Sequence, residues 1–197
     1  MTLIKQHLLL VLFNALYVLA FGAYYLSIGN YEFLWYIAVL VFFLLLIGAT
    51  LHTTQFSKPI LWMLSFWGLA HMAGGGVEVN GAALYALELF HIIGSGDAFI
   101  LKFDQVVHFY GFFVSTFVIF HLLSRFVGVE KGFKTLLLVS ALSSIGLGAI
   151  NEIVEFIAVL AIPETGVGGY LNTSIDLVFN TLGAVTAICI LFVTRKK

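Results

Sequence analysis

The chain has 197 residues, of which 61% are hydrophobic and 10% charged, with a formal net charge of −1 and a mean hydropathy of +1.09. A soluble globule of this length could not hide so much apolar surface, and a near-neutral chain lacks the basic field that nucleic acid requires, so both classes are excluded. What remains is an all-α, polytopic membrane protein in a single domain, residues 1 to 197. Its one cysteine, Cys189, permits neither an internal disulfide nor a cysteine metal motif.

Spanning the hydrocarbon takes about 20 apolar residues per helix. Stretches that qualify run from 8 to 26, 33 to 51, 59 to 74, 104 to 124, 134 to 162 and 173 to 194, which predicts six spans. The first is longer than the apolar core of a secretory signal, about 7 to 15 residues, and reads as a retained span. The third is the shortest, opening at Pro59 in a favourable first-turn position and closing at Gly74-Gly75-Gly76.

In a six-span arrangement Lys5, Lys58, Arg125, Lys131, Lys134, Arg195, Lys196 and Lys197 fall on one side and only Lys102 on the other. The positive-inside rule then predicts cytoplasmic termini and a multi-pass protein of the plasma (inner) membrane. Tyr24, Tyr25, Tyr31, Trp35 and Tyr36 gather outside as an interfacial belt, and Glu130 is the only cytoplasmic acid. The outer connection, 75 to 103, contains an apolar stretch from Ala82 to Ile93 that is too short to span and predicts an interfacial or re-entrant helix. Glu88 and His91 share a face of that helix, either as a solvated surface or as a lid over a site.

Polar residues inside the spans concentrate in one slab. Asp104 stands at the outer mouth of the fourth span with His108 about 6 Å deeper; Glu152 and Glu155 lie roughly 15 and 11 Å below the outer end of the fifth. In the sixth, Asp176 and Asn180 lie about 5 and 11 Å in, and His71 is near the outer end of the third. Asp104, His108, Gly111 and Ser115 recur on one helix face, as do Ser140, Ser144, Gly148, Glu152 and Glu155, and Asp176, Asn180, Gly183 and Ala187. Small residues on such a face mark close backbone packing, so these faces look into the bundle.

Several of these residues have plain structural explanations. Asp104 and Asp176 lie where a carboxylate caps a first turn, Asn180 suits an interhelical amide, and His71 a satisfied interfacial histidine. Glu152 and Glu155 do not. A charged group at mid-span costs about 2.5 to 3.5 kcal/mol even on the lenient insertion scale, and it must be protonated, paired or bound to a cation. No Lys or Arg lies in the interior of any span. Metal, shared protons or a cationic ligand must therefore supply the missing charge.

The metal reading places His71, Asp104, His108, Glu152, Glu155 and Asp176 around a divalent ion, and mixed nitrogen and oxygen ligation suits Zn, Mn or Fe. Glu152, Glu155 and His108 are then the candidate catalytic groups, activating water against an ester or phosphate. Two other readings stay open: a proton- or ion-coupled small-solute carrier, and a non-catalytic structural or partner-binding core. Phe117, Leu136, Leu137 and Leu138 are expected to seal the inner halves of the fourth and fifth spans, which disfavours a carrier.

The segments "LAHMAGGG" (69 to 76), "FDQVVHFYGF" (103 to 112), "NEIVEF" (151 to 156) and "LNTSIDLVFNTLGA" (171 to 184) together resemble the uncharacterised bacterial inner-membrane YjdF-like family. More distantly they are similar to VanZ-like proteins, whose D-K-x-x-H-F and D-x-x-x-N-x-x-G motifs echo the second and last of these segments. The resemblance singles out the same six residues and implies a connection with the cell envelope, hence membrane lipid as partner, but no reaction. Val77 and Asn172 depart from the YjdF-like pattern, which sets Asn172 and the 75 to 80 loop outside the expected site.

Overall fold

The computed structural model describes residues 7–91, 100–129, 132–161 and 169–195. It is mostly helical, with α1 Leu8–Ile28, α2 Tyr31–Thr54, α3 Lys58–Gly76, α4 Phe103–Phe126, α5 Phe133–Ala161 and α6 Tyr170–Thr194. Each contains one of the six predicted stretches to within a residue. Local chemistry sets the ends. Gly29, at φ 67°, closes α1 in the left-handed conformation that favours glycine, and the Asn30 side chain accepts the Phe33 N–H to open α2. Proline stands in the first turn of α3.

Five of these helices, α1, α2, α4, α5 and α6, are long and apolar enough to cross a membrane. The α3 helix is not among them, because its 19 residues include Lys58, Ser65, His71 and four glycines.

The chain forms two compact units, residues 1–87 and 88–197. In the first, α1 and α3 are joined by buried polar side chains. Asn14 donates to Ser65 Oγ at 2.7 Å and accepts from Tyr17 Oη at 2.8 Å, while Tyr25 donates to the Met72 carbonyl. In a span these bonds link helices that lipid alone would leave without a reason to associate. Glycine makes the contacts close: a Cβ on Gly68 would fall 2.6 Å from Tyr17 Oη, and one on Gly75 would fall inside the Phe33 ring contact.

The expected helix over 82 to 93 does not form. Residues Glu78–Val79 (β1) and Ala82–Ala83 (β2) pair antiparallel around Asn80 and Gly81, both at positive φ (53° and 81°), followed by a 3-10 turn, Leu84–Ala86. An Asn-Gly pair between short strands is the turn chemistry of a two-residue hairpin, and it overrides the weak helical pattern. Glu88–His91 is a strand, β3, paired with β4 (Ile100–Lys102) so that Glu88 lies opposite Lys102. Glu88 and His91 therefore share no helix face, and Glu88 is exposed. Positions 92 and 93 lie outside the described residues.

In the second unit α4, α5 and α6 pack on one another through their small-residue faces. A Cβ on Gly183 would collide with the Phe109 carbonyl oxygen, so α6 meets the α4 backbone directly. Ser144 donates from α5 to the Phe112 carbonyl of α4 at 2.9 Å. Leu136 and Leu137 are buried as expected, whereas Leu138 is 56% exposed and points outward. Three consecutive helical residues sweep about 200°, so they cannot all face one neighbour.

Candidate metal centre

The polar faces of α4, α5 and α6 meet. The α4 helix brings Asp104 and His108 one turn apart, with Gln105 between; α5 brings Glu152 and Glu155; α6 brings Asn172, Asp176 and Asn180 at successive turns. His108 is the centre. Its Nε2 lies 3.6 Å from Asp104 Oδ1 and 3.9 Å from Glu155 Oε1, and its Nδ1 lies 3.6 Å from Glu152 Oε1. Asn180 Oδ1 accepts from Nδ1 at 3.0 Å. An amide oxygen only accepts, so Nδ1 carries a proton, and Nε2 faces Asp104 and Glu155.

Amide groups organise the acids. Asp176 takes one bond on each oxygen, from Gln105 Nε2 at 3.1 Å and from Asn172 Nδ2 at 2.6 Å. Asn172 also donates to Asp104 Oδ2 at 3.2 Å, so a single side chain bridges the α4 and α6 carboxylates. Gln105 is itself held by the Lys102 backbone N–H, 2.8 Å from its Oε1. Asn151 donates to Glu155 Oε1 at 2.9 Å. Glu152 is different: it is buried, and neither of its oxygens has a hydrogen-bond donor among the described residues.

Two sets of three side chains bring one ligand atom each to within 4.8 Å of one another, Asp104 with His108 and Asp176, and His108 with Glu152 and Glu155. Ligands of a tetrahedral site with bonds of about 2.1 Å are about 3.4 Å apart. The 3.6 and 3.9 Å from His108 Nε2 to Asp104 and Glu155 lie just beyond that, and each triad as a whole would have to contract from spacings of up to 4.8 Å. Among the described residues the only ion-pair contacts these four acids make are with His108. Side-chain exposure falls from 19% at Asp104 and 16% at Glu155 to 7% at Glu152, so the cluster is open at its Asp104 end and closed beyond.

Of the residues expected at the site, Asp104, His108, Glu152, Glu155, Asp176 and Asn180 come together. His71 belongs to the first unit, where its Nδ1 is bonded to Tyr85 Oη and its ring stacks on Trp67 at 5.6 Å and 12°. Glu88 is an exposed strand residue. Asn172, set outside the expected site, is in fact its bridge, and Gln105 was not expected at all. Both were signalled by helical spacing: Asn172 is one turn before Asp176, and Gln105 adjoins Asp104 on the first turn of α4.

A helical membrane protein with a buried cup of carboxylates around one imidazole is the class that this fold and site define. The chain belongs to the predicted membrane protein family DUF2238, which it matches over residues 6–197. No match was found among proteins of curated function or among solved structures.

Proposed function

We propose that this protein is a six-span inner-membrane protein with cytoplasmic termini that binds one divalent cation, Zn, Mn or Fe, through His108 Nε2, Asp104, Asp176 and Glu155. The observation that carries the reading is four carboxylates converging on one imidazole, with no Lys or Arg in contact among the described residues. Anions packed so closely in a poorly hydrated place need a counter-charge. Asn180 supports it, since a hydrogen bond on the far nitrogen of a ligating histidine fixes its tautomer and aim.

A bound cation at this position would polarise an ester or phosphoryl oxygen and activate water. The cup opens at Asp104, the second residue of α4, which six spans place at the outer surface, so the substrates in reach are envelope lipids. Buried Leu136 and Leu137, and Phe113 packed edge-on against Phe117 at 5.0 Å, favour this over a carrier that needs an inner route. The YjdF-like and VanZ-like resemblances also point to the envelope.

Elemental analysis of purified protein tests the cation. Wild type is expected to carry close to one Zn, Mn or Fe per chain, and His108→Ala and Glu155→Ala to lose it at least tenfold in affinity. Metal-free wild type that takes up none of the three on dialysis would end the proposal.

A further inference from the structure

The His108 ring divides the cluster into two unlike faces. On the Nε2 side are Asp104 and Glu155, and both carry an amide donor, from Asn172 and Asn151. On the Nδ1 side, Glu152 Oε1 and Asn180 Oδ1 converge on the same nitrogen, at 3.6 and 3.0 Å. There the bonding is incomplete in a complementary way. Neither Glu152 oxygen has a donor, and Asn180 Nδ2 has no acceptor, at full hydrogen-bond geometry among the described residues, although the Asn151 and Asn180 amides are close by, Asn180 is fully buried and Glu152 is 8% exposed. Buried groups of this kind are nearly always satisfied, and each one left open costs about 1 to 3 kcal/mol.

A second cation would satisfy Glu152 but would face the N–H of Asn180. Only a group that both donates and accepts suits both side chains. From this we infer that the Nδ1 side is a seat for a hydroxyl, of water or of a substrate alcohol, which donates to Glu152 and accepts from Asn180 Nδ2. Gly148 lets the Asn180 side chain lie against α5 beside Glu152. It lies one turn from Glu152 on the same face of α5, and a Cβ there would fall 2.9 Å from Asn180 Nδ2. Glu152 is thereby assigned to the hydroxyl and not to the metal. This deepens the metal reading, on which it rests only for what occupies the opposite face.

A crystal structure of the full-length protein grown with Mn²⁺ is the test. The expected result is an oxygen within about 2.6 to 3.2 Å of both Glu152 and Asn180 Nδ2, with Mn²⁺ on the Nε2 side and not bonded to Glu152. Mn²⁺ bonded to Glu152, or Asn180 Nδ2 bonded directly to Glu152 with nothing between, overturns the inference. The oxygen present without Mn²⁺ keeps the seat and removes the metal reading. In solution, Glu152→Gln is expected to keep Mn²⁺ affinity within about twofold while His108→Ala loses at least tenfold; equal losses would show Glu152 to be a ligand.

Discussion

Asn172 shows how a single amide can govern a cluster of acids. Its Nδ2 is bonded to Asp104 of α4 and Asp176 of α6, placing one shared donor between the two carboxylates. Asn172→Ala is expected to lower stability by about 1 to 2 kcal/mol, read as a fall in the thermal midpoint in detergent. Asn172→Asp removes the donor and adds a charge; its larger fall should be partly reversed by Mn²⁺, and an unchanged midpoint in both variants would count against the bridge. The sequence showed Asp104, His108, Glu152, Glu155 and Asp176 because acids and imidazoles are costly in a span and so stand out. It hid Gln105 and Asn172, because a neutral amide at a helix end is unremarkable until its partners on another helix are known.

At the scale of elements, glycine decides how near the helices come. Gly183 is pressed against the Phe109 carbonyl and the Phe113 amide, backbone that cannot rotate away. Gly183→Ala should cost about 1 to 3 kcal/mol and weaken cation binding, since it pushes α6, with Asp176 and Asn180, off α4. Gly146→Ala is the control: a Cβ there meets nothing within 4 Å, and its effect should stay within about 0.5 kcal/mol. Equal effects in the two variants would deny that close packing positions the site. Helix limits were legible because long apolar runs admit little else in lipid. The hairpin at 78 to 83 was announced by Asn80-Gly81, a signal outweighed by the apolar run after it, and Leu138 was misplaced because a run of leucines does not say which one turns inward.

For the whole molecule, the number of spans turns on α3. Its 19 residues rise about 28 Å, close to the hydrocarbon thickness of about 30 Å. Were it to stay on one side, the Arg125, Lys131 and Lys134 group would change sides, against the positive-inside rule. With Cys189 replaced by Ser, cysteines at Ser27, Glu78 and Tyr170 should react with an impermeant maleimide in intact cells, and those at Thr53 and Val127 only after permeabilisation. Labelling of Val127 in intact cells would leave five spans.

The first unit holds one more useful arrangement. The Trp67 indole lies nearly parallel to the His71 imidazole, close enough for an excited indole to pass an electron to a protonated ring. With Trp35 and Trp62 changed to Phe, the remaining fluorescence becomes a gauge of that histidine's charge, dimming when it takes up a proton. The fold thus carries its own optical probe, readable in a vesicle without any added dye.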